Sequence, residues 1–261
     1  MAEEIERVIL EKKIIRKIYY GPRTAIKEWW RLRAIHRQFD RTITWSYRGH
    51  PENELSQLSQ SYGSDKSSNS LRGHTYTDFY ALLLEHRRAS TRNVLECGIG
   101  TTNPKIASNM GPDGVPGASL RMWRDYFPNA RIVGVDIDES VLFESNRIET
   151  YLMDQTDTQS VKAFLNSLGE RRFDLIIDDG LHTFDAAIHF FEHLFERLES
   201  DGLFVIEDVH SRDLSRYVHY FHSRSDEFDL QCVRFQRAGR SLGSNVLLMI
   251  RAKKPHEPTP T

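Results

Sequence analysis

Apolar residues along this chain recur in two alternating rhythms. Short unbroken runs at Asn93 to Cys97, Arg131 to Val135, Glu149 to Met153, Phe173 to Ile177 and Leu203 to Ile206 have the pattern of strands buried on both faces. Between them, apolar residues spaced three or four apart predict helices around Ser119 to Tyr126, Ser140 to Arg147, Ser160 to Leu168 and Thr183 to Glu199. Tyr76, Phe79, Tyr80, Leu83 and Leu84 predict a further helix ahead of the first strand. Regular strand and helix alternation requires right-handed crossovers and a doubly wound, mostly parallel sheet. Two last runs, Glu227 to Gln236 and Asn245 to Ala252, are separated by a turn containing Gly and Arg and predict an antiparallel C-terminal edge hairpin. The expected fold is α/β with a seven-stranded sheet.

The N-terminal region has a different pattern. Ile5, Val8, Ile9, Lys12, Ile15, Ile18 and Tyr19 fall near one helical face, Gly21-Pro22 interrupts, and Ile26, Trp29, Trp30, Leu32 and Ile35 continue among Arg and Lys residues. Residues 1–50 are therefore expected to form a helical arm that packs on its own domain or on another subunit, with peripheral membrane contact as the alternative. Residues 51–74, rich in Ser, Asn and Gly, are expected to be a polar linker or lid loop, and 75–261 the main domain. A net charge of −2 gives no electrostatic case for nucleic acid. The two cysteines, Cys97 and Cys232, lie in apolar strands, where reduced buried thiols are expected. With no spanning stretch and no signal-peptide core, the expectation is a cytoplasmic protein.

The chemistry concentrates at strand ends. Phe173 to Ile177 runs into Asp178-Asp179-Gly180-Leu181-His182, and after one crossover Leu203 to Ile206 runs into Glu207-Asp208. Parallel neighbours put both acidic ends on one edge, where Asp179, Glu207 and Asp208 can share a hard cation that offsets their repulsion. Oxygen ligands favour magnesium, calcium or manganese over zinc.

The first strand ends in Glu96-Cys97-Gly98-Ile99-Gly100, where glycines let backbone approach a ligand, but Asn103 breaks the dinucleotide fingerprint. Gly134-Val135-Asp136 places an acid suited to a ribose diol, and Met153-Asp154-Gln155 one suited to an adenine amino group. A nucleoside without phosphates on an acidic rim points to S-adenosylmethionine, whose sulfonium and ammonium are cationic.

From about Tyr62 to Asp208 the chain resembles class I S-adenosylmethionine-dependent methyltransferases, and more narrowly the metal-dependent sugar O-methyltransferases acting on macrolide sugars and bacterial polysaccharides. The resemblance rests on Tyr62-Gly63-Ser64-Asp65-Lys66, Val94 to Gly100, Gly117-Ala118-Ser119-Leu120, Phe127-Pro128-Asn129-Ala130, Gly134 to Asp138, Asp178 to His182 and Val205 to Asp208. It implies a Rossmann-like fold, magnesium on Asp179, Glu207 and Asp208, and His182 as the base. It implies cofactor contacts from Glu96, Gly98, Gly100, Ser119, Asp136 and Asp154, with Asp178 near the sulfonium. The expected partners are S-adenosylmethionine, Mg2+ and a sugar or oligosaccharide acceptor, in a homo-oligomer. The insert Thr101 to Val115 and the arm depart from the family pattern.

Two other functions fit the same residues: an O-methyltransferase of a catechol-like or other small diol, and a noncatalytic cofactor-binding module of a glycan-synthesis complex. Diol enzymes of this type close their metal site with Asp-Asn, where this chain has Glu207-Asp208. A competing zinc pattern, His189-Phe190-Phe191-Glu192-His193, falls on the polar side of its helix and would be exposed.

Overall fold

One sheet carries every strand described. Its order is β1-β7-β8-β6-β5-β2-β3-β4, with β1 Thr42–Tyr47, β2 Asn93–Cys97, β3 Arg131–Asp136, β4 Ile148–Leu152, β5 Phe173–Asp178, β6 Leu198–Ile206, β7 Phe228–Arg237 and β8 Val246–Ala252. The computed structural model describes residues 42–47, 53–67, 74–237 and 246–253, all within the unit Arg41–Thr261. Strands β4, β3, β2, β5 and β6 pair in parallel, and β8 is antiparallel to both β6 and β7. These seven strands are the expected mostly parallel sheet with its antiparallel hairpin.

The eighth strand was not expected. Thr42–Tyr47 pairs in parallel with β7, so this part of the stretch assigned to a helical arm belongs to the sheet edge. Its Thr-Ile-Thr-Trp-Ser-Tyr sequence alternates with period 2, a short signal hidden beside the longer helical periodicity upstream. The arm itself lies outside the described residues.

Part of the region assigned to a linker is also ordered. Helix α1, Glu54–Tyr62, is capped by Asn53, whose side chain accepts from Ser56 N. Leu55 is buried in the core, with Leu58 and Tyr62 packed against it. Ser56 and Ser59 are buried as well, the first sharing a 2.6 Å hydrogen bond with Thr77 and the second donating to the Ser64 carbonyl. Serines satisfied in this way disguise a buried face as a polar segment.

The remaining helices are α2 Tyr76–Leu84, α3 Ala118–Tyr126, α4 Thr158–Leu168, α5 Phe184–Leu194 and α6 Leu214–His222. The helix predicted over Ser140 to Arg147 is a single 3-10 turn, Glu139–Val141. Asp138 caps that turn, and Thr150 Oγ1 on β4 accepts from Phe143 N and donates to the Phe143 carbonyl, holding the chain extended. The core on one side of the sheet joins Trp123, Tyr126 and Phe127 to Tyr76, Phe79 and Tyr80. Among the described residues, no helix is long and apolar enough to cross a membrane.

Candidate active site

The carboxyl ends of β2, β3, β5 and β6 open onto one cavity of about 560 Å³. Register explains the convergence: Asp178 pairs with Ile206 and with Cys97, so Asp179 and Glu207 emerge side by side from adjacent strands. The ladder continues one residue past the strands, with Asp179 N donating to the Cys97 carbonyl and Glu207 N to the Asp178 carbonyl, both at 2.9 Å.

Beyond that point the backbone turns sharply. His182 and Asp208 adopt left-handed conformations, with φ of 56° and 52°. Such conformations cost non-glycine residues about 1–3 kcal/mol and concentrate where a site over-determines the backbone. Here they bring ligand atoms of Asp179, His182 and Asp208 within 4.8 Å of one another. His182 lines the cavity, and its Nδ1 is buried without a hydrogen-bond partner. Two carboxylates and a nitrogen donor suit a divalent cation that keeps part of its water shell.

Glu207 is placed differently from the two aspartates. Its Oε1 accepts from Tyr80 at 2.6 Å and its Oε2 from Lys66 Nζ, also at 2.6 Å. The same ammonium donates to Asp179 Oδ2 at 2.7 Å and stands 3.2 Å from Glu96 Oε1. Burial works against the Lys66 ammonium, but Asp179, Glu207 and Glu96 outweigh it and hold its pKa well above the ordinary lysine value. Asp208 is oriented from the other side, where Tyr76 donates to Oδ1 at 2.5 Å and His74 Nδ1 lies 3.3 Å away.

The nucleoside side of the cavity is equally specific. Asp136 Oδ2 accepts from Ile99 N at 2.9 Å and Oδ1 from Asp138 N at 3.0 Å, which fixes the carboxylate while each oxygen retains acceptor capacity. Asp154 Oδ1 accepts from both Thr156 N and Thr156 Oγ1. Gly98 has φ 83°, and a Cβ there would collide with the Asp179 carbonyl, so glycine lets the two loops touch. Gly100, at φ 90°, lies against the Met110 side chain. The insert therefore folds over this end, and Lys105 to Met110 line the cavity.

Of the residues selected from sequence, Gly98, Gly100, Ser119, Asp136, Asp154, Asp179, His182, Glu207 and Asp208 line this one cavity. Glu96 and Asp178 do not; both are buried beneath it. Glu96 faces Lys66, and Asp178 Oδ1 accepts from Gln155 Nε2 at 3.1 Å. Burial raises the Asp178 carboxyl to about 6 against the opposing influence of His182.

Lys66, Tyr76, Tyr80 and Gln155 received no role from sequence. Lys66 had a signal in its place in the Tyr62 to Lys66 motif, and Gln155 in the Met153-Asp154-Gln155 strand end. Among the described residues, His189 and His193 join no metal-type cluster: His189 bonds Thr158 and the Gln155 carbonyl, while His193 Nδ1 bonds the His189 carbonyl.

Residues 116–209 match the family model described as a methyltransferase domain. Over 155 residues the chain is 34% identical to 8-demethyl-8-alpha-L-rhamnosyl tetracenomycin-C 2'-O-methyltransferase of Streptomyces olivaceus, covering 59% of this chain and 37% of that one. It is 33% identical over 159 residues to mycinamicin VI 2''-O-methyltransferase of Micromonospora griseorubida, covering 60% and 36%. The matches thus span little more than a third of these relatives. A solved structure of the MycE methyltransferase from the mycinamycin biosynthetic pathway, in complex with Mg and SAH, superposes with TM-score 0.58 at 25% identity, covering 82% of this chain and 58% of that chain.

The fold is that of the class I methyltransferases. The chain is similar to O-methyltransferases named for glycosylated tetracenomycin and mycinamicin and to a methyltransferase solved with Mg and SAH.

Proposed function

We propose that this protein is a magnesium-dependent O-methyltransferase that moves the methyl group of S-adenosylmethionine to a hydroxyl of a sugar or glycan. The observation that carries this reading is a single cavity in which a fixed ribose-type acceptor, Asp136, opens onto the cluster of Asp179, His182 and Asp208. When bound, the nucleoside would supply an electrophilic methyl group, and the cation would supply Lewis-acid activation of the acceptor hydroxyl. Asp136 and Asp154 would hold the nucleoside, and Asp179 and Asp208 the cation.

His182 takes the hydroxyl proton in this reading. Its ring lines the cavity next to Asp179 and Asp208, and an alcohol is a poor nucleophile until a base removes its proton. The sugar preference follows from the relatives named above, with a saccharide unit of a polysaccharide as the wider class. Free, buried Cys97 and Cys232 agree with a reducing, cytoplasmic setting. The N-terminal arm expected over residues 1–50 is read as packing on its own domain or on another subunit of a homo-oligomer, with peripheral membrane contact as the alternative.

Incubation of purified protein with labelled S-adenosylmethionine and a saccharide panel, with and without a chelator, tests the reading. Label should enter a saccharide, stop with chelator and return with magnesium. Undiminished transfer after thorough metal removal refutes the cation's role, and transfer only to a catechol refutes the sugar.

A further inference from the structure

Gln155 has no part in the function proposed above, yet it is only 6% exposed and its amide spans the turn that leads to His182. Its Nε2 donates to Asp178 Oδ1 at 3.1 Å, an oxygen that also accepts from Gly180 N at 3.3 Å, and its Oε1 accepts from Leu181 N at 2.7 Å. The Leu181 N–H can only donate, so the amide oxygen must face it, which leaves the amide nitrogen for Asp178. Gly180 lies between the two contacts. A Cβ there would stand 1.9 Å from Gln155 Oε1, so the absence of a side chain is what lets the amide lie against the turn.

The amide is itself anchored. The Gln155 carbonyl bonds His189 Nδ1 on α5 at 2.7 Å; a carbonyl only accepts, so Nδ1 carries a proton, and in the neutral ring Nε2 accepts from Thr158 Oγ1 at 2.9 Å. On the strand side, the ladder ends at Asp179, whose N donates to the Cys97 carbonyl. His182 stands beyond that support in the left-handed conformation, with φ 56°. A non-glycine residue stays there only where its surroundings over-determine the backbone. The residue just before it, Leu181, is held from two sides: its carbonyl accepts from Ser108 Oγ of the insert at 3.2 Å, and its N–H makes the shorter bond to Gln155.

We propose that Gln155 is a positioning residue for the base: its amide fastens the Asp178 to Leu181 turn to the loop after β4 and so sets where the His182 imidazole stands in the cavity. The inference rests on the reading of His182 as base given above. Asp154, on the same loop, is fixed by Thr156, and Asp179 by the ladder, so loss of the amide leaves both in place and its effect falls on His182.

Hydrogen exchange at the Leu181 amide of the full-length protein, read by NMR, together with methyl transfer to the saccharide that the panel labels, tests this. Gln155→Met keeps the length of the side chain and removes both bonds. Leu181 should then exchange about tenfold faster or more, and kcat should fall about 10–100-fold. Affinities for S-adenosylhomocysteine and Mn2+ should stay within about threefold of wild type. In a His182→Ala background, Gln155→Met should change kcat by less than about threefold, because the group it acts through is already gone. Gln155→Glu keeps an acceptor for Leu181 N, so that amide should exchange within about threefold of wild type, and this variant keeps the measurement available if Gln155→Met does not fold.

Unchanged Leu181 exchange or unchanged kcat in folded Gln155→Met overturns the proposal. So does a kcat loss that adds in full to that of His182→Ala, or a parallel loss of S-adenosylhomocysteine or Mn2+ affinity, because the amide would then support the whole cavity. Exchange about tenfold faster in Gln155→Glu overturns it as well, since the acceptor is still present. Full transfer by His182→Ala, or no saccharide labelled by the wild type, defeats the reading of the function instead, and the exchange rates still decide whether Gln155 holds the turn.

Discussion

The Tyr76 hydroxyl donates to Asp208 Oδ1 at 2.5 Å from a side chain with no exposed surface, so the position of a proposed cation ligand is set by the first residue of a helix distant in sequence. Groups that orient ligands in this way contribute about 10–100-fold to metal affinity. Tyr76→Phe should weaken Mn2+ binding by about tenfold while folding stability changes by only about 1 kcal/mol. Calorimetric titration beside a denaturation curve separates the two effects. Equal Mn2+ affinity in the variant would show that Asp208 does not depend on the Tyr76 hydroxyl for its position.

His182 can serve as proton acceptor or as third ligand, and one substitution distinguishes the two roles. If it is the base, His182→Ala should lower methyl transfer by about 100-fold or more while Mn2+ affinity stays within a few-fold. Loss of both together would assign His182 to the cation instead. Turnover and Mn2+ titration on the same preparation give the answer.

Gly98 makes a structural prediction that also reaches function. Its φ of 83° and its contact with the Asp179 carbonyl leave no room for a Cβ, so Gly98→Ala must either distort the β2 loop or displace Asp179. The expected cost is about 2 kcal/mol of stability, with loss of S-adenosylhomocysteine binding in whatever protein remains folded. Wild-type affinity for that product, measured by calorimetry, would show that the contact is not needed.

How much of this was legible depends on whether the signal was local. The acids after β5 and β6 could be placed together from sequence because parallel register follows from one crossover, and Asp179 and Glu207 do emerge side by side. Asp136 could be placed by the same logic. What could not be read was direction: nothing in Glu207-Asp208 says that the first acid turns to Tyr80 and Lys66 and the second to Tyr76 and His74. Lys66 comes from a segment whose serines hide a helix, and its partners lie up to 141 residues away. Such partners are fixed by packing, which periodicity does not encode. The Ser140 to Arg147 prediction failed for a related reason. Local capping by Asp138 and the Thr150 side chain outweigh a weak helical pattern in a short connection.

Buried phenols oppose ionisation and so should destabilise the fold at alkaline pH. Burial raises the Tyr126 hydroxyl to about 12, only partly offset by Arg88 over its ring, and burial likewise raises Tyr217. In the unfolded chain both ionise near the ordinary value of about 10. Because the folded pKa is the higher one, the stability these phenols contribute is fully present below about pH 10 and is lost as pH climbs toward about 12. Tm should therefore fall steeply over that interval, with tyrosinate absorbance appearing in step with unfolding. Tyr126→Phe removes one ionisable group and only a 3.4 Å hydrogen bond to the Ala81 carbonyl, so its alkaline limb should be shallower than that of wild type. An identical slope in Tyr126→Phe would place the alkaline transition on other groups.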